Sequence, residues 1–192
     1  MTYNRKIMRL ELSAENPVHG GYYYAELLLP AADYELKDAM QRTRAVGREN
    51  TVEVSILECD TLPELQDIRL DTFSLDELNF LAKRLSSLPN EELPVFYAVT
   101  ENIFGDAEES ENPVSIKDLI NCIYGLDTVP VAHNVSNLAE LGRFAFENEL
   151  LSDLEGIPES AVPFLNAEQI GRVQQKNDNG VFEGRLYIPT VH

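Results

Sequence analysis

The sequence predicts an α+β fold, with mixed strand-and-helix ends around a helical middle, and three observations carry that prediction. Two apolar runs near the start are joined by turn residues and read as paired strands. Capping residues followed by apolar side chains at helical spacing recur from Ser74 to Gly125. The last third mixes further capped helices with a turn and a terminal strand. At 192 residues the chain suits one domain or two to three small ones, and can bury roughly 70% of its extended-chain surface. The pattern divides it into a sheet plus helix at residues 1–72, a helical segment at 73–127 and an α+β segment at 128–192.

Residues 7–14 and 22–29 are the two strand runs, and Asn16, Pro17, Gly20 and Gly21 lie in their joint, which predicts an antiparallel hairpin. Pro30 ends the second strand. Residues 34–43 read as a short helix burying Leu36, Ala39 and Met40, and Val52, Val54 and Ile56 alternate with Glu53 and Ser55 as in a half-buried strand. Ser74 and Glu77 have capping-box spacing, and Leu75, Leu78, Leu81, Ala82 and Leu85 follow at helical intervals. A second helix is expected from Glu91-Glu92 to Gly105, with Pro94 in its first turn and Phe96, Val99 and Ile103 inward. Residues 106–113 (DAEESENP) read as an acidic loop. Ser115 and Asp118 open a third helix, with Ile116, Leu119, Ile120 and Ile123 inward and Gly125 at its end.

Residues 128–132 read as a short strand, and Asn137 with Glu140 opens a helix through Leu138, Leu141, Phe144 and Ala145. Pro158 fits the first position of another short helix, and Asn166 with Gln169 caps one ending near Gln175. The turn signal Asn177-Asp178-Asn179-Gly180 precedes a single expected strand, 181–188, with Phe182, Leu186 and Ile188 on one face and Glu183, Arg185 and Tyr187 on the other.

The charges are distributed unevenly. Residues 85–171 hold two cations, Lys117 and Arg143, against sixteen acids, so the segments 1–84, 85–171 and 172–192 carry −5, −14 and +1. Such a field repels nucleic acid and anionic membranes and attracts proteins with basic surfaces. Acidity for solubility alone is the plainer explanation. No apolar run approaches the ~20 residues that cross a bilayer, and the N-terminus has no secretory apolar region, so a soluble cytoplasmic protein is expected. Cys59 and Cys122 are too few and too far apart for a disulfide scaffold or zinc site.

No phosphate loop, dinucleotide glycine motif, nucleophile elbow or metalloprotease helix occurs. His19, His133 and His192 have no ligand-spaced partner and read as surface histidines, and both cysteines read as packed thiols. Asp106, Glu108, Glu109 and Glu111 lack EF-hand spacing. No catalytic residue, metal site or cofactor is therefore assigned.

Four segments occur in a distinctive order: Glu140-Leu141-Gly142-Arg143-Phe144, Gly156-Ile157-Pro158-Glu159, Gln169-Ile170-Gly171-Arg172 and Gly180-Val181-Phe182-Glu183-Gly184-Arg185-Leu186-Tyr187. With Leu75-Asp76-Glu77-Leu78-Asn79-Phe80-Leu81-Ala82 and Asp118-Leu119-Ile120-Asn121, they make residues 70–190 resemble the ArdA antirestriction proteins. The first 70 residues match more loosely, having Gly20-Gly21-Tyr22-Tyr23-Tyr24 where many members have a Gly…Trp-Leu pattern, and the chain has no Trp. The resemblance implies an elongated chain of three small subdomains, a homodimer, encoded on a mobile genetic element. It also implies that surface carboxylates imitate the phosphates of bent DNA and occupy the DNA-binding core of type I restriction–modification enzymes.

A duplex carries one charge per ~1.7 Å, so −14 matches roughly 24 Å, about seven base pairs. The candidate acidic surface comprises Glu91, Glu92, Glu101, Asp106, Glu108, Glu109, Glu111, Asp118, Asp127, Glu140, Glu147, Glu149, Asp153, Glu155 and Glu159. Taken singly, each is an ordinary solvated acid, and only the set makes a functional claim. The rival readings are a generic acidic module that binds another basic DNA-binding protein or a nuclease, and a hydrolase with an unrecognised carboxylate pair in a concave pocket.

Overall fold

Alternation of apolar and polar residues builds the N-terminal sheet. In the computed structural model, which describes residues 5–45, 51–110, 112–151 and 165–189 apart from the side chains of Asn102 and 106–110, strand β1 (Met8–Glu15) pairs antiparallel with β2 (Tyr22–Leu29) and β3 (Glu53–Cys59). The sheet order is β2-β1-β3. Met8, Leu10, Leu12 and Ala14 of β1 are buried with Ala25, Leu27 and Leu29 of β2 and Ile56 of β3. The expected hairpin and third strand are therefore present. Helix α1 (Asp33–Arg42) buries Ala39, with Leu36 and Met40 half-buried.

The chain divides into two compact units, residues 1–89 with 103–123 and residues 90–102 with 124–192. In the first, helix α2 (Leu75–Ser86) starts at the expected capping box: the Glu77 N–H donates to Ser74 Oγ at 3.1 Å, and the Ser74 N–H donates to Glu77 Oε2 at 2.8 Å. Leu78, Leu81, Ala82 and Leu85 form its buried stripe. Asn79 is buried among them and bonded at both amide atoms, accepting from the Ala31 N–H at 2.7 Å and donating to the Ala31 carbonyl at 3.1 Å. That pair fixes α2 against the link that follows β2. Helix α4 (Ile116–Gly125) buries Ile116, Leu119 and Ile123, as its spacing predicts.

Helix α3 (Leu93–Ser110) corrects the expected loop, because it runs past Gly105 through residues 106–110. One glycine costs a helix about 1 kcal/mol relative to alanine, and Ala and Glu are good helix formers. Pro113 disfavours helical geometry at the residue before it. The expected strand at 128–132 shrinks to β4 (Ala132–His133), because Leu126–Thr128 forms a 3-10 turn whose Thr128 hydroxyl donates to the Gly125 carbonyl at 2.7 Å.

In the second unit, helix α5 (Leu138–Glu147) and helix α6 (Ala167–Asp178) begin at neutral caps. Asn137 Oδ1 accepts from the Glu140 N–H at 3.0 Å, and Asn166 Oδ1 from the Gln169 N–H at 3.1 Å. α6 runs beyond the expected Gln175 to Asp178, and Asn179 closes it at φ +48°. The expected terminal strand is instead a hairpin, β5 (Val181–Glu183) and β6 (Leu186–Ile188), in a sheet of order β4-β6-β5. Gly184, at φ +61°, takes the first of two turn positions, where a Gly-X hairpin turn needs a residue with positive φ. The hairpin sets Phe182 opposite Tyr187, ring centroids 5.0 Å apart, so Tyr187 is buried rather than on the polar face. The expected helix at Pro158 lies outside the described residues.

The contact between α5 and α6 is made by backbone. A Cβ on Gly142 would lie 1.8 Å from the Ala167 carbonyl oxygen, and one on Gly171 would lie 1.9 Å from that of Leu138. Each glycine admits the other helix. Gly105, by contrast, has nothing within 4 Å of where its Cβ would stand. Alanine favours a helix by about 1 kcal/mol over glycine, whereas an overpacked contact costs about 3 kcal/mol. Gly142→Ala and Gly171→Ala should therefore each destabilise the protein in urea denaturation, while Gly105→Ala should stabilise it. Equal effects at the three positions would contradict the crossing.

Candidate acidic interaction surface

Pairing of the cations decides which acids remain exposed as charge. In the N-terminal sheet and its helix, Arg5 pairs with Asp60 at 2.7 Å, Lys6 with Glu35 at 2.9 Å, Arg9 with Glu58 at 2.7 Å and Arg42 with Asp38 at 3.0 Å. Arg9 also faces Glu26 at 3.8 Å. Each of these four cations therefore neutralises an acid of the same segment. Arg9 holds the Glu58 carboxyl below its usual range, and the Ala32 N–H, then Lys6, does so for Glu35.

Of the two cations in residues 85–171, Lys117 lies 3.5 Å from Glu77 on α2. Arg143 is exposed on α5 and contributes a small attraction to Glu140. Glu168, the acid of this stretch outside the candidate set, pairs with Arg172 at 2.6 Å.

The candidate acids sort by what holds them. Glu140 is structural: its Oε2 accepts from the Ser136 N–H and hydroxyl, both at 2.8 Å, which completes the α5 cap. These bonds, the backbone one foremost, hold its carboxyl below the usual glutamate range. Glu91, Glu101, Asp118, Asp127, Glu147 and Glu149 are exposed and Glu92 is half-buried, and among the described residues none of the seven makes an ion pair. Asp106, Glu108 and Glu109 lie on the α3 backbone, but their side chains are outside the described residues, as are Glu111, Asp153, Glu155 and Glu159 altogether.

Several acids stand where helix energetics disfavour them. Glu147 ends α5, and by backbone position Glu108 and Glu109 fall in the last turn of α3, the end at which a helix dipole opposes negative charge. Neither last turn has a basic residue. α5 closes in a Schellman motif, with the Leu150 N–H donating to the Ala145 carbonyl at 2.9 Å and the Glu149 N–H to that of Phe146 at 3.2 Å. Glu149 occupies the left-handed position of that motif at φ +54°, where glycine is usual. Sequence reading had no signal for this, since a glutamate does not announce a left-handed residue.

The other chemical candidates stay apart. Cavities of about 940, 510, 400 and 180 Å³ are each lined, among the described residues, by a single carboxylate: Asp76, Glu168, Asp178 and Glu147 respectively. No group of three His, Cys, Asp or Glu among the described residues could hold a metal ion. Cys59 is buried and Cys122 half-buried, and burial raises both thiols above their usual range, foremost among the causes. His19 and His133 are exposed, and His192 lies outside the described residues. No described helix is long and apolar enough to cross a membrane.

No protein-family model matches the chain, and no curated protein is significantly similar to it.

Two expectations separate structural acids from displayed ones. Glu149→Gly should raise stability by about 1 kcal/mol in urea denaturation, because glycine relieves the left-handed strain while one charge is lost. A destabilised variant would contradict the cap geometry. For Glu140, a lowered folded pKa means a stabilisation fully present above the unfolded carboxylate pKa and lost as pH falls through the folded one. The stability difference between wild type and Glu140→Gln should be full at neutral pH and close as pH falls below the ordinary glutamate range. Comparing the two proteins at each pH cancels the titration of the remaining acids.

Proposed function

We propose that this chain is an acidic DNA mimic, similar to the ArdA antirestriction proteins, that inhibits type I restriction–modification enzymes by occupying their DNA-binding groove. The single observation that supports this most is how the charge is paired. Residues 85–171 set sixteen acids against two cations, and seven candidate acids from Glu91 to Glu149 have no ion-pair partner among the described residues. Charge left uncompensated is available to a basic groove. The order of motifs in residues 70–190 supplies the choice of partner.

The mechanism needs no bond to be made or broken. A groove built for duplex DNA binds regularly spaced negative charge and releases the counterions held by both surfaces on association. Glu147 and Glu149, at the disfavoured end of α5, and Glu108 and Glu109, at that of α3, keep charge where folding alone would not select it. In a binding surface those placements have a use. The homodimer implied by the resemblance would double the length of charge offered, and belongs to the same proposal.

The test is a competition titration in which the full chain displaces labelled duplex DNA from the DNA-recognition core of a type I enzyme. Displacement is expected, with affinity falling about tenfold or more between 50 and 200 mM salt. Replacing Glu101, Asp106, Glu108, Glu109 and Glu111 together by their amides should weaken it, while Glu109→Gln alone should change it less than about fivefold. Salt-independent affinity, or loss of activity on one substitution alone, would overturn the reading. Equal affinity for an unrelated basic nuclease would favour the generic acidic module.

A further inference from the structure

The N-terminal sheet covers one of its faces and leaves the other open. Met8, Leu10, Leu12 and Ala14 of β1 are buried, so the intervening Arg9, Glu11, Ser13 and Glu15 lie on the opposite face. The register sets Glu15 opposite Tyr22 and Ser13 opposite Tyr24, then Glu11 opposite Glu26 and Arg9 opposite Leu28. Tyr22, Tyr24 and Leu28 are 53, 59 and 47% exposed there. The two tyrosine rings stand 6.2 Å apart between centroids. Tyrosine is frequent at interfaces because its ring offers apolar area while its hydroxyl tolerates water. Three large side chains displayed together on one strand therefore make this face a contact surface.

Charge says what the contact is. Arg9 is the one cation in the three strands, and it donates two hydrogen bonds to Glu58, at 2.7 and 3.2 Å. Glu11 and Glu15 make no ion pair among the described residues. Glu11 also stands directly opposite Glu26, and like charges so placed destabilise a sheet. Glu15 faces Tyr22, and both unpaired acids are diagonal neighbours of Tyr24, within reach of a long side chain. Rings beside unpaired carboxylates suit a guanidinium, which stacks on the first while its N–H groups donate to the second. An ammonium, a point charge, uses the ring less well. A second copy of this face would bring acids against acids, and nucleic acid is repelled for the same reason. None of these residues lines the four cavities described above, so the face suits an extended chain rather than a small molecule. We propose that it docks an extended, arginine-bearing segment of a partner protein, with guanidinium groups stacked on Tyr22 and Tyr24 and bonded to Glu11 and Glu15. Alternate side chains of an extended segment stand about 7 Å apart, the pitch of successive rows on the sheet. The surface lies outside the candidate acids at 91–159 and does not rest on the DNA-mimic reading.

The test is calorimetric titration of the full chain with a peptide of three arginines alternating with serines, blocked at both ends. It should bind saturably at one site at about 0.15 M salt, where distant charges are screened. The matching lysine peptide should bind about threefold more weakly, and the neutral citrulline peptide should not bind. Tyr22→Thr with Tyr24→Thr, and separately Glu11→Gln with Glu15→Gln, should each weaken the arginine peptide about fivefold. The glutamine pair removes the opposed charges at Glu11 and Glu26, so it should melt no lower than wild type. It carries the test alone if the threonine pair does not fold. Replacing Glu101, Asp106, Glu108, Glu109 and Glu111 by their amides should leave peptide affinity unchanged. Affinity that falls with that variant, that survives the glutamine pair, or that the lysine peptide matches would overturn the proposal. So would N-acetylarginine amide binding as tightly as the peptide, which would mark a site for free small molecules. Failure to displace DNA from a type I enzyme would leave all of these results standing, because neither probe nor variants are shared.

Discussion

Self-repulsion among 33 acids served by 15 lysines and arginines is the constraint around which the rest of the structure is arranged. The N-terminal sheet meets it by local pairing, with its cations facing acids one strand or one turn away. Residues 85–171 lack the cations for that solution and use other means. The helices α5 and α6 are capped by asparagines, which satisfy backbone N–H groups without adding charge, though Glu140 adds a carboxylate at the α5 start. The two then close on each other through Gly142 and Gly171, a contact of backbone and dispersion that no salt or pH change screens. Cohesion between these two helices is therefore largely electrically neutral.

The same constraint separates acids by role. Glu35, Glu77 and Glu140 accept backbone N–H groups at helix starts, where negative charge is favourable, and their carboxyls titrate below the usual range for that reason. Glu147 and Glu149 stand at the opposite helix end, and Glu149 adds a left-handed backbone to an unfavourable charge position. A sequence optimised for stability alone would keep the first group and replace the second by a cation at 147 and a glycine at 149.

Local rules made much of this fold legible. The capping box at Ser74 and Glu77, the paired runs of β1 and β2, the alternation in β3, and the spacing in α2 and α4 involve residues close to one another in sequence, and all appear as read. The misreadings had both local and distant causes. Gly105 looked like a stop and is an ordinary helical residue. The strand after Gly180 was read without the turn at Gly184, which put Tyr187 on the wrong face; its burial depends on Phe182 across the hairpin and Asp178 on α6. Gly142 and Gly171 were visible as motif residues, but their mutual contact needed two helices brought together. Among the candidate acids, only the structure distinguishes Glu140, which caps a helix, from its solvated neighbours.

The scarcity of cations also shapes how the chain is degraded. A protease that cleaves after lysine or arginine finds only Lys117 and Arg143 between Arg84 and Arg172. The first lies in the opening turn of α4 and the second midway along α5, each within a hydrogen-bonded helix. Such a protease must wait for one of those helices to unwind before it can enter the acidic stretch, so its rate there reports local helix opening. An enzyme that cleaves after glutamate meets sites throughout the same stretch. The lifetime of this protein in a cell extract therefore depends on which class of protease it meets.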